Sequence, residues 1–81
     1  MVRELAFPVV DTELRHELEI EPVIENVGVK DGNGVELEVK RAVAGSVLTV
    51  EFEARREGNY MVKLAVPADV AQVRIVAKEI R

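Results

Sequence analysis

Residues 48–55 run Leu-Thr-Val-Glu-Phe-Glu-Ala-Arg, an unbroken alternation of apolar and polar side chains. Only a strand repeats with period two, so Leu48, Val50, Phe52 and Ala54 must share one face and the polar residues the other. Such a strand needs neighbours to pair with and a second layer to cover its apolar face. The same alternation recurs elsewhere in the chain. In Val2–Val10, Leu5, Phe7 and Val9 share a face, and Pro8, which has no N–H, marks an edge strand or a bend. From His16 onward Leu18, Ile20, Pro22 and Ile24 alternate with Glu17, Glu19 and Glu21, after one helical turn expected at residues 11–15. Val35, Leu37 and Val39 alternate with Glu36, Glu38 and Lys40, and Tyr60, Val62, Leu64 and Val66 form a further set. Sixteen valines against six leucines and four isoleucines fit this pattern, because β-branched side chains suit a pleated surface better than a helix.

Turn chemistry divides these segments. Asp31-Gly32-Asn33-Gly34 predicts a β-hairpin joining Val27/Val29 to Val35/Leu37, with positive φ at one or more of Gly32, Asn33 and Gly34. It lacks the spacing of a phosphate-binding glycine loop and the charge of a calcium loop. Gly45-Ser46 predicts another turn, and Arg56-Glu57-Gly58-Asn59 predicts a second hairpin. The segment after Pro67 is ambiguous. Val70, Val73, Ala77 and Ile80 follow a helical period, whereas Gln72-Val73-Arg74-Ile75-Val76 has the composition of a strand, which is preferred. The fold expected is mainly β, a small antiparallel sandwich or partly open barrel of about six to seven strands. The alternative is an antiparallel sheet with a C-terminal helix over residues 68–80.

Composition narrows function more by exclusion than by assignment. Eighty-one residues make one domain, 1–81, with a small core. The chain has no cysteine, hence no disulfide or thiolate metal site, and a cytoplasmic location is expected. Its apolar runs are far short of the roughly 20 residues that span a bilayer, so no membrane association is expected. Net charge is −4, and Phe7, Phe52 and Tyr60 are the only aromatic residues. Both facts argue against nucleic acid as a partner. Six acidic residues lie between Asp11 and Glu25 against Arg15 alone, while Glu51–Arg81 is balanced.

Residues able to carry chemistry are few. His16 is the only histidine, expected at the surface or paired with Glu13 or Glu19. Ser46, Thr12 and Thr49 have no local triad partner. Glu17, Glu19 and Glu21 share one strand side at about 7 Å intervals, as a solvated face, an interaction face or a divalent-metal site. No catalytic, cofactor or metal residue is assigned. The preferred reading is a non-enzymatic protein–protein interaction or accessory domain that self-associates as a homodimer or binds a partner protein. Its interaction face would use Glu17, Glu19 and Glu21 with Arg55, Arg56, Lys63 and Arg74. Apolar residues on both sides of several segments (Val9 and Val10, Val23 and Ile24, Val43 and Ala44, Ile75 and Val76) point to contact through a strand edge or a packed sheet face. Two alternatives follow: a small enzyme or divalent-metal site using carboxylates near His16, and a nucleic-acid-binding small barrel using Arg55, Arg56, Lys63 and Arg74.

Overall fold

A computed structural model describes residues 1–80. Seven strands form: β1 (Val2–Val9), β2 (Arg15–Glu21), β3 (Val27–Lys30), β4 (Lys40–Ala44), β5 (Val47–Glu53), β6 (Gly58–Ala65) and β7 (Arg74–Ile80). They pair antiparallel into a three-stranded sheet, β1-β6-β3, and a four-stranded sheet, β4-β5-β2-β7. The two sheets face one another as a small, partly open β-sandwich, the fold class that the alternating pattern predicts.

Alternation decides which side chains meet in the middle. Leu18 and Ile20 of β2 and Leu48, Val50 and Phe52 of β5 face Tyr60, Val62 and Leu64 of β6 and Val29 of β3, all buried. Phe52 stacks on Tyr60 across the layers at 6.0 Å, and Phe7 meets Phe52 edge-on at 6.0 Å. These contacts set β6 over β5 and β1 over β2. β7 therefore projects past β1, and its inward-directed Ala77 and Glu79 are exposed.

Several local expectations need correction. Only Gly45–Ser46, between β4 and β5, joins neighbouring strands of one sheet; the other five connections cross between sheets. Gly58 does not close a hairpin, because β5 and β6 belong to opposite layers. The chain arches over instead, and the Tyr60 hydroxyl donates to the Arg56 carbonyl at 2.7 Å to clamp it, as in the tyrosine corner of Greek-key sandwiches. Alternation specifies an inward face but not the sheet that supplies it. The Asp31–Gly34 turn forms, with positive φ at Gly34 alone and the Asp31 carboxylate accepting from Asn33 N and Val35 N. Its second arm is no strand of the sheet: a Lys30–Glu36 bridge and a Leu37 N to Val29 O bond lay residues 35–37 along the edge of β3 before the chain leaves for β4.

Residues 12–13 form a turn, with Glu13 N donating to the Asp11 carboxylate, rather than a turn of helix. β2 stops at Glu21, ahead of donor-less Pro22, and Ile24 reaches the core from the following loop. The C-terminal segment is β7, so the helix over 68–80 does not form. Pairing with β2 sets Ile75 opposite Ile20 and Ala77 opposite Leu18. Val70 and Val73 pack on the core from the connector before β7.

The open edges share a device. Directly opposed residues of paired strands point to the same face. Arg3 of β1 opposes buried Leu64, Arg41 of β4 opposes buried Val50, and Glu79 of β7 opposes buried His16. Each of these edge strands thus carries an inward-directed charge, which disfavours pairing with another sheet. Arg41 finds partners by reaching the carbonyls of Ile24, at 2.9 Å, and Glu25.

Candidate functional site

Glu17, Glu19 and Glu21 do point outward together, but from β2, an interior strand. Lys40, Glu51, Glu17 and Lys78 form one row across the four strands, and Glu21 lies opposite Arg74. Arg15 bonds Glu51 diagonally at 3.2 Å, and Lys78 bonds Glu19. That hydrogen bond, reinforced by the charges of Glu19 and Glu17, raises the Lys78 pKa above the ordinary lysine value despite a small opposing effect of desolvation. The carboxylates belong to a solvated face whose lysines and arginines offset much of their charge, although Glu17 and Glu51 stand directly opposite each other.

The four basic residues are not brought together. Arg74 shares the outer face of the four-stranded sheet, Lys63 lies on the opposite outer face, and Arg55 and Arg56 sit on the β5–β6 arch. The four therefore do not form one continuous positive surface.

His16 departs furthest from expectation, because it is fully buried and pairs with neither Glu13 nor Glu19. It stacks on Phe52 at 5.7 Å and meets the edge of Phe7 at 5.8 Å. Its Nε2 lies 3.1 Å from the Asp11 carbonyl, which accepts a hydrogen bond from it. Nδ1 is buried with no hydrogen-bond partner. The ring faces the core while Glu17 and Glu19 face solvent, so no cleft joins the three. Among the described residues, no group of three or more His, Cys, Asp or Glu side chains is placed to hold a metal ion.

Two open clefts mark the ends of the sandwich. One, of about 670 Å³, gathers Glu21 and Arg74 with Arg3, Ser46 and Gln72. The other, of about 430 Å³, lies between Glu13 and Arg55. Nothing in the sequence links Arg3 to Gln72, since they meet only through the crossing of the two sheets. In the first cleft Glu21 offsets the charge of one of the two arginines.

The surface missed by sequence reasoning is the outer face of the three-stranded sheet. There Val2, Ala6 and Pro8 of β1 lie beside Met61 and Ala65 of β6, with Gly28 of β3 beyond. Val2 is 56% exposed and Met61 37% exposed. Glu4 and Lys63 stand directly opposite each other on this face and form no ion pair within 4.0 Å. The signal was present: outward positions of Tyr60–Val66 hold Met61 and Ala65 where those of β5 hold glutamates and Thr49. By contrast, Val10, Val23, Val43 and Val76 are exposed as expected but scattered over separate strands and loops.

Among the described residues, no helix is long and apolar enough to cross a membrane. No protein-family model, no curated protein and no solved structure matches the chain.

Proposed function

We propose that this domain works by protein–protein contact rather than catalysis, and that its first partner is another copy of itself. The observation that carries the reading is the outer face of the three-stranded sheet, where exposed Ala6, Pro8 and Met61 lie together on one side of the Glu4–Lys63 row and Val2 with Ala65 on the other. Apolar patches gathered on one face of a small domain have a recognised use as part of a contact surface. The inward-directed charges of Arg3, Arg41 and Glu79 favour contact through a face over extension of a sheet edge. The separation of His16 from Glu17 and Glu19 supports a non-enzymatic role, because acid–base chemistry needs such groups within reach of one substrate.

Sedimentation equilibrium from roughly 1 to 300 μM protein tests this by mass action. The expected result is a weight-average mass that rises with concentration. A constant 9.0 kDa throughout overturns self-association.

A further inference from the structure

We propose that two copies pack the outer faces of their three-stranded sheets together about a two-fold axis parallel to β1 and β6 and midway between them. This rests on the self-association reading above and names its surface and register. Across β1 and β6, Val2 opposes Ala65, Glu4 opposes Lys63 and Ala6 opposes Met61. All six residues point outward, because the positions between them oppose buried Val62 and Leu64. A two-fold axis along the strands sets β1 of one copy over β6 of the other and keeps every residue at its height. Each side chain therefore meets the second copy's version of its own cross-strand neighbour. Val2 then covers Ala65, Met61 covers Ala6, and Glu4 meets Lys63, each contact made twice.

An isologous interface must be complementary to itself, and these three pairs satisfy that demand in size and in charge. Small Ala6 and Ala65 let the sheets approach to the usual spacing of about 10 Å, and flexible Met61 fills what remains. Lys30, on β3 beside Met61, falls at the solvated rim. The opposite outer face lacks this property, since a second copy there would strip water from Glu17, Glu21 and Glu53. Strand spacing and rise put the β1–β6 face, two strands of eight residues, at roughly 260 Å² per copy. That is about a third of a standard interface, so the dimer is weak and reversible and forms at the upper end of the concentration range.

Charge reversal on the full-length chain tests the register. Glu4→Lys alone sets two ammonium groups against each other at this contact, and Lys63→Glu alone sets two carboxylates there. Each variant should therefore dimerise at least about tenfold more weakly. An equimolar mixture of the two should associate as a heterodimer near the wild-type strength, as should the double variant by itself. Both positions are exposed, and circular dichroism checks that each variant remains folded. Recovery in the mixture is a result that a merely destabilising substitution does not produce. A wild-type dimer indifferent to both reversals, or singles that weaken without recovery on mixing, overturns this interface and leaves self-association standing. A wild-type monomer at every concentration overturns both.

Discussion

The two outer faces of the sandwich are built from the same element on the same period, yet they meet water differently. On the four-stranded sheet the outward positions hold Arg15, Glu17, Glu19, Lys40, Glu51 and Lys78, and opposite charges sit in neighbouring strands. On the three-stranded sheet they hold Val2, Ala6, Met61 and Ala65 around one unpaired Glu4 and Lys63. The first face carries two ion pairs and is dense in charge that water solvates, and the second sets exposed apolar side chains on either side of a single charged pair, Glu4 and Lys63. A burial pattern of alternate inward residues is thus common to both, and the outward residues alone distinguish a charged surface from a partly apolar one.

The largest perturbation abolishes the comparison, because both faces stand on one core. Phe52 touches Tyr60 and Phe7 from the three-stranded sheet and His16 from its own. Phe52→Ala should cost roughly 3–5 kcal/mol in lost transfer energy and cavity, enough to unfold much of a domain of this size. An unchanged urea midpoint would contradict the placement of Phe52 as the joint between layers.

A smaller effect should appear on the three-stranded side alone. Gly34 has φ of 80°, and an added Cβ there meets nothing within 4 Å, so a side chain suffers backbone strain without a clash. Gly34→Val should cost about 1–3 kcal/mol. Hydrogen exchange should quicken first at Leu37, whose amide bonds Val29 and keeps residues 35–37 over the edge of β3. Equal loss of protection in β2 and β7 would mean that the two sheets do not respond separately.

The least effect belongs to the charged face. Its exposed ion pairs are screened by water, so Glu19→Gln should alter stability less than either change above. It should nevertheless return the Lys78 pKa toward the ordinary lysine value, because the hydrogen bond and charge of Glu19 are what raise it. The sign follows from linkage: a raised folded-state pKa contributes stability fully below the unfolded value of about 10.4 and loses it as pH rises through the folded value. Side-chain NMR titration of Lys78 reads this directly, and an unchanged titration in the variant would show that the Glu19 contact is not formed in solution.

The amino-acid order by itself determined the strands of the core, the inward set of Leu48, Val50, Phe52, Val62 and Leu64, and the turns at Gly34 and Gly45. Each depends on period two or on a conformation that glycine adopts cheaply, and both are local properties. Which strand pairs with which was decided only in the tertiary structure. An arch and a hairpin need the same turn residues between the same alternating segments, so the β5–β6 connection looked identical in either case. β7 became a strand rather than a helix because β2 offered it a free edge with Ile20 and Leu18 in register. His16 was drawn inside for a similar reason. Its place in the alternation set it beside Leu18 and Ile20, and the aromatic faces of Phe7 and Phe52 that receive it come from strands remote in sequence. The scattering of Arg55, Arg56, Lys63 and Arg74 and the gathering of Val2, Ala6, Met61 and Ala65 have one cause. A surface is assembled from neighbouring strands, and neighbours in a sandwich are chosen by long-range burial that no local pattern records.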